Sequence, residues 1–249
     1  MVVMKTPVYF ISDVHLMLNN TSSEQKRRKN LFRLMDKVKS SGGSLFFVGD
    51  LFDFYFEYPD LIPKAFADFY TKALDLKNHG VELHFSVGNH DYWVKEFITN
   101  VIMDNVYFGD TTFSLENKQF YVTHGDGLLS WDHGYRFLKK IVRSRFFIWA
   151  FQWLHPTISY RIARWISRSG YEENLDEEIK ENIRCEIKQK AKEHIDNGYD
   201  YMICGHYHLG EIIKINNGKL AIMGDWFFKP TYAYFDGNDL KMHAWNEDE

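Results

Sequence analysis

The chain is 249 residues long, 45% hydrophobic and 26% charged, with a formal net charge of −4 and 17% aromatic residues. That length allows one large α/β domain or two small ones, and the composition is that of a globular protein rather than a disordered or fibrous one. The net negative charge excludes a polycation built to coat nucleic acid.

In chain order, VYFIS (8–12) is a short apolar run rich in strand formers, with DVH at its carboxyl end. Thr21, Ser22 or Ser23 can cap a helix running to about Lys39, which SSGG ends. SLFFVGD (44–50) predicts a second strand, and 60–79 a helix with Pro63 in its first turn. VELHFSV (81–87) predicts a third strand and leads into GNHD. VYFG, TTFSLEN and KQFYVTHGDG read as further strands, with ENK as a hairpin turn. Residues 133–169 stand apart as a helical insertion. They carry eight Lys or Arg and no Asp or Glu, interleaved with Phe137, Phe146, Phe147, Trp149, Phe151, Trp153 and Trp165. An acidic helix over 172–196, the strand in YDYMICGHYH, and short strands turned by NNG and DGN complete the chain.

Polar residues therefore follow five apolar runs: Asp13 and His15; Asp50 and Asp53; Asn89, His90 and Asp91; His124 and Asp126; His206 and His208. In an α/β sheet such strand tips converge on one edge, where mixed nitrogen and oxygen donors suit divalent ions. One such tip is as readily a turn as a site; five in this order make coincidence a poor account. Gly49, Gly88 and Gly205 border the tips and allow close approach.

The order D-x-H, G-D-x-x-D, G-N-H-D, H-G-D and G-H-x-H resembles the calcineurin-like metallophosphoesterases over nearly the whole chain. The resemblance implies a sandwich of two mixed β-sheets flanked by helices, here a single domain with the insertion at about 130–170 as a cap. By motif, Asp13, His15 and His208 would hold one divalent ion and Asn89, His124 and His206 a second, with Asp50 bridging. His90 would face the phosphoryl group as the catalytic histidine, with Asp91 orienting its ring, and Asp53 and Asp126 would support the ligands.

Within that superfamily the chain is most similar to the UDP-2,3-diacylglucosamine pyrophosphatase family of the lipid A pathway. The similarity rests on SDVHL, GDLFDF, HGDGL, DHGYRFLK, and an insertion with HP and RIARW. It implies manganese, a nucleotide-lipid substrate, and contacts to it from Asn89, His90, Asp132, Tyr135, Arg168 and Ser169. Some members carry Arg where this chain has His90, whereas phosphodiesterases across the superfamily usually have His. The aromatic, basic insertion suits acyl chains and a diphosphate, although its rings could equally pack on the core. The alternatives are a metallophosphodiesterase for another nucleotide, nucleic acid or phosphoprotein, a scaffold on an inactive fold, and a non-catalytic membrane-surface module. The presence of all seven ligand residues disfavours the last two.

Cys185 and Cys204 are too few for a disulfide framework and lack metal-binding spacing, which points to a reducing cytosol. The apolar run at the N-terminus leads straight into Asp13, unlike a signal peptide. FFIWAFQWL (146–154) is far shorter than the ~20 residues of a membrane span. The expectation is a cytoplasmic protein with peripheral contact at the inner membrane and no nucleic-acid partner.

Overall fold

Apolar runs such as VYFI and SLFFV form strands buried on both faces, because each face meets a different partner. The structure, a computed structural model, describes residues 4–167 and 176–246. It contains, in order, β1 (Val8–Ile11), α1 (Ser22–Ser41), β2 (Ser44–Val48), α2 (Ala67–Asn78), β3 (Glu82–Ser86), β4 (Asn105–Tyr107), β5 (Thr111–Leu115) and β6 (Lys118–Thr123). There follow α3 (His133–Val142), α4 (Arg145–Gln152), α5 (Pro156–Ser167), α6 (Glu177–Asp196), β7 (Tyr201–Cys204), β8 (Glu211–Ile215), β9 (Gly218–Ile222), β10 (Thr231–Phe235) and β11 (Leu240–Ala244).

One sheet has the order β11-β10-β1-β2-β3-β4 and the other β5-β6-β7-β9-β8. Strands β1, β2, β3 and β4 run parallel, as do β6, β7 and β9, while β10, β11, β5 and β8 are antiparallel to their neighbours. Alternation along each strand sorts the side chains into layers. Val8 and Phe10 join Phe46, Val48, Phe120, Ile203 and Phe235 between the sheets. Tyr9 and Ile11 join Leu45 and Phe47 against the helices, where α1 presents Leu31, Leu34, Met35 and Val38 at helical spacing. On the far side, Ile183, Ile187, Ala191 and Ile195 of α6 cover Met202, Cys204, Leu220 and Ile222.

Thr21 caps α1, its hydroxyl accepting from the Glu24 amide. The helix predicted from residue 60 begins later. Pro63 has ψ 106° and is extended, a 3-10 turn covers Lys64–Phe66, and α2 starts at Ala67. Pro63 explains the delay, since a proline drives the residue before it, here Ile62, out of the helical region. Glu116 and Asn117 make the β5–β6 turn with positive φ. Cys185 is exposed and Cys204 buried, and both are free thiols. Among the described residues, no helix is long and apolar enough to cross a membrane.

Candidate metal centre

The carboxyl ends of β1, β2 and β3 meet those of β6 and β7, and every polar tip singled out in the sequence lies at that junction. The donor atoms of Asp13, His15 and His208 fall within 4.8 Å of one another, as do those of Asp50, His124 and His206. The two groups adjoin, with His15 Nε2 3.8 Å from both Asp13 Oδ1 and Asp50 Oδ2. Asn89 Oδ1 lies 3.1 Å from His124 Nε2, which is itself 3.2 Å from Asp50 Oδ2. All seven predicted ligand residues are thus gathered. A third cluster, His15, Asp53 and His90, shares His15 with the first.

Backbone conformation marks the same residues. Asp13, His15, Asp50, His206 and His208 have φ between 47° and 70°. Among the described residues, the other non-glycine positions with positive φ are Glu116, Asn117 and Asn216, which lie in hairpin turns. Left-handed backbone costs a residue with a Cβ ~1–2 kcal/mol and persists where surrounding bonds over-determine it. Here the Asp13 and His15 amides donate to the Gly49 and Asp50 carbonyls at 3.1 and 2.9 Å, and the His206 amide donates to Asp13 Oδ2 at 3.0 Å. Sharp turns aim each side chain inward instead of letting the strand run on.

The electrostatics suit a cation. Burial resists ionisation of Asp13, yet His208, 3.1 Å away, brings its pKa down to about 2. Asp50 is likewise held well below the ordinary carboxylate range, against burial, by His124 and His90. Burial lowers His15 to about 3 and His206 to about 4, so both rings are neutral near pH 7, as ligation requires. His124 goes the other way, to about 10: the Asp50 carboxylate overcomes burial and keeps the ring protonated. A divalent cation would take over the neutralisation that this proton gives Asp50. Two ionised carboxylates, an amide oxygen and imidazole nitrogens form a donor set suited to Mn, Fe or Zn.

The GNHD tip differs from expectation in one respect. His90 Nδ1 meets the Asp53 carbonyl at 2.7 Å and therefore carries the proton, so Nε2 points into the site, 4.0 Å from Asp50 Oδ2. Burial opposes charge on this ring, but Asp50 and Asp53 raise its pKa above the ordinary value. Asp91 does not hold the His90 ring. Its oxygens accept from the Gly88 and Phe52 amides at 2.7 and 3.2 Å, tying the β3 tip to the β2 tip. The competing reason is geometric: a buried carboxylate beside two unpaired amides satisfies both before it reaches a neighbouring ring. Asp126, on the loop after β6, is engaged by the cap. Its Oδ2 accepts from Tyr135, Lys139 and Arg143 at 3.0, 2.7 and 3.0 Å.

Of the predicted substrate contacts, Tyr135 reaches the site, its ring centroid 6.1 Å from that of His206. Asp132 lies at the start of α3, and no described hydrogen bond or ion pair joins its side chain to the metal residues. Arg168 and Ser169 fall outside the described residues.

Two neighbours escaped the sequence reading. Asp225, after β9, accepts from the Phe227 and Phe228 amides at 2.6 and 2.7 Å and helps raise the pKa of His208 against burial. Its signal was present, since AIMGD repeats the apolar-run-then-GD form of LFFVGD. Arg27 donates to the His15 carbonyl at 3.0 Å, pairs with Glu24 and stacks on Phe227. No local pattern announces that contact.

The cap docks on the loops that leave these tips. Trp93 donates to the Val142 carbonyl at 3.0 Å and stacks on Phe147 and Phe151, while Phe54 and Phe56 also pack on Phe151. Tyr58 bonds Ser159 and the Leu154 carbonyl.

Comparison with known proteins agrees with this geometry. The calcineurin-like phosphoesterase family model matches residues 6–210. A UDP-2,3-diacylglucosamine hydrolase of Porphyromonas gingivalis is 29% identical, covering 99% of this chain and 100% of its own. Hydrolases of the same name from Vibrio atlanticus and Aeromonas salmonicida are 27% and 26% identical, covering 96% and 88% of this chain and 96% and 85% of their own. With a motif order, a two-sheet architecture and a family match that coincide along the same stretch, the chain belongs to the calcineurin-like phosphoesterases and is a metal-dependent hydrolase.

Proposed function

We propose that the protein hydrolyses the pyrophosphate of UDP-2,3-diacylglucosamine, adding water at the α-phosphorus and releasing UMP and 2,3-diacylglucosamine 1-phosphate. The observation that carries this is the reversed polarity of α3 on a chain whose relatives bear that substrate's name. Tyr135, Arg136, Lys139 and Arg143 turn inward to the site loops, while Phe137, Leu138 and Ile141 are exposed. Phe146, Trp149, Trp153, Ile158 and Ile162 extend this exposed apolar surface over α4 and α5. An apolar surface joined to a phosphoryl centre by a polar face suits a molecule with acyl chains at one end and phosphates at the other. The same surface, with Lys140, Arg145 and Arg161 along it, suits peripheral contact with the anionic cytoplasmic face of the inner membrane.

In this reading Asp13, His15 and His208 would hold one ion and Asn89, His124 and His206 the other, with Asp50 available to both; manganese is the proposed metal. Bound divalent ions supply Lewis acidity toward the phosphoryl oxygens and make water acidic enough to act as hydroxide near neutral pH. His90, its Nδ1–H fixed on the Asp53 carbonyl, directs Nε2 at the phosphoryl group, where a protonated ring stabilises charge and supplies a proton to the leaving phosphate. Asp91 keeps the turn beneath it closed. Asp132, Arg168 and Ser169 remain proposed substrate contacts.

The deciding experiment gives the manganese-loaded protein UDP-2,3-diacylglucosamine and measures UMP and the lipid phosphate. Both products are expected in equal amounts. Hydrolysis of bis-p-nitrophenyl phosphate without any UMP would defeat the lipid substrate and favour another phosphodiester. His90→Ala is expected to lower kcat by ~10²-fold or more while retaining metal. Metal loss matching that of Asn89→Ala would contradict its role.

A further inference from the structure

Arg143, the residue that closes α3, stands where two site loops meet, one after β3 and one after β6. Its Nη2 donates to the Gly88 carbonyl at 3.1 Å, next to Asn89, and to Asp126 Oδ2 at 3.0 Å, two residues beyond His124. Its guanidinium lies 4.1 Å from the ring centroid of Tyr92, two residues beyond His90. These contacts fix one end and the plane of the group, yet use only Nη2. Among the described residues, Nη1 and Nε make no hydrogen bond, and the side chain is 18% exposed. Lys139 is engaged differently, its ammonium lying between the Asp126 carboxylate and carbonyl at 2.7 and 2.9 Å. Two cations thus share one carboxylate, leaving the cluster one positive charge in excess, and most of the open donors belong to Arg143, with a single N–H left on Lys139.

We propose, resting on the diphosphate reading of this same centre, that Arg143 binds the leaving phosphate and makes the enzyme selective for diphosphate diesters over monophosphate diesters. A guanidinium is planar and permanently charged, and one already anchored through Nη2 loses little freedom when Nη1 or Nε donates to a phosphoryl oxygen. In the reaction, water adds to the α-phosphorus, the bond from that phosphorus to the bridging oxygen breaks, and the bridging oxygen departs with the second phosphate. The second phosphate gains negative charge as that bond breaks. A fixed cation there binds the transition state more strongly than the ground state, so its removal lowers kcat as well as raising KM.

A bland alternative makes Arg143 a strut that only seats the cap. The two are separated by inhibitors that have no acyl chains. With bis-p-nitrophenyl phosphate as reporter, competitive inhibition by UDP-N-acetylglucosamine and by UMP is measured in wild type, Arg143→Met and Arg143→Lys. The expected result is a Ki for UDP-N-acetylglucosamine raised at least ~10-fold in Arg143→Met, with the Ki for UMP moved under ~3-fold and Arg143→Lys between the two. On UDP-2,3-diacylglucosamine, Arg143→Met is expected to lose at least ~10-fold more kcat/KM than on the reporter. Equal movement of both Ki values, or loss of lipid turnover with no movement of either, overturns the proposal in favour of a strut. Wild type that binds UDP-N-acetylglucosamine no better than UMP also overturns it. The shift in Ki together with no lipid hydrolysis by wild type leaves Arg143 assigned and defeats the lipid substrate. Should Arg143→Met not fold, Arg143→Lys, which keeps the charge and loses the anchored planar donors, carries the same comparison.

Discussion

Asp50→Asn is expected to abolish hydrolysis, with turnover of bis-p-nitrophenyl phosphate down by at least ~10³-fold and bound divalent metal largely lost. The Asp50 side chain is almost wholly buried, with His124, His15 and His90 nitrogens at 3.2, 3.8 and 4.0 Å from Oδ2 and the His90 amide donating to Oδ1 at 2.9 Å. Asn preserves the shape and the acceptor for that amide but removes the negative charge. What remains between the imidazoles is neutral, so less negative charge is left to offset the repulsion that two dications would exert on each other. His124→Ala should behave similarly. Neither residue belongs to the three apolar clusters, so far-ultraviolet circular dichroism should be retained in both. The check is metal content by mass spectrometry beside turnover. Full metal content and normal rates in both variants would refute the two-ion assignment.

The sequence told where the donors are better than how they are held. An apolar run closed by a polar tip is a local pattern, so Asp13, Asp50, Asn89, His124 and His206 are legible in the chain itself. Helix faces such as Leu31, Leu34, Met35 and Val38 are legible for the same reason, since 3.6-residue spacing is local. The reading failed where a partner comes from far along the chain. Asp91 finds the Phe52 amide 39 residues away, and Arg27 reaches the His15 carbonyl only because α1 folds back beside β1. The cap was legible as an aromatic, acid-free segment, but not in its orientation. Which face of α3 turns inward is decided by Asp126, whose carboxylate claims Lys139 and Arg143 and so leaves Phe137 and Leu138 outside.

Asp126 also joins two functions that stand apart in the sequence. It is two residues from His124, and burial opposes its ionisation, but His124, Arg143 and Lys139 keep its pKa below the ordinary value. Through it the cap's cations bear on the loop that carries a proposed ligand. Cap placement and ligand geometry are therefore coupled by short polar contacts, while Trp93, Phe54 and Phe56 against Phe147 and Phe151 supply apolar docking.

Gly88→Ala is the second large effect, and its cause is contact alone. A Cβ on Gly88 would lie 2.1 Å from Asp50 Oδ1, 2.8 Å from its Cγ and 2.5 Å from its backbone nitrogen. A flexible side-chain end could move aside, but a backbone nitrogen held at the tip of β2 cannot, so the β2 and β3 tips must separate. The Gly88 amide bond to Asp91 and the Arg143 bond to the Gly88 carbonyl resist that separation. Overpacking of this kind costs ~1–3 kcal/mol of stability. The functional loss is larger, because Asn89 and Asp50 would no longer share one centre, and a displacement of ~1 Å costs ~10²-fold in rate. Gly109→Ala serves as the control, since a Cβ there has no heavy atom within 4 Å and φ is not left-handed. The expected outcome is a folded Gly88→Ala protein with weakened divalent-metal binding and turnover down by ~10²-fold or more, beside a Gly109→Ala protein like wild type. Wild-type metal content and rate in Gly88→Ala would mean that the two tips have slack, and that Asp50 and Asn89 need no fixed separation to do their work.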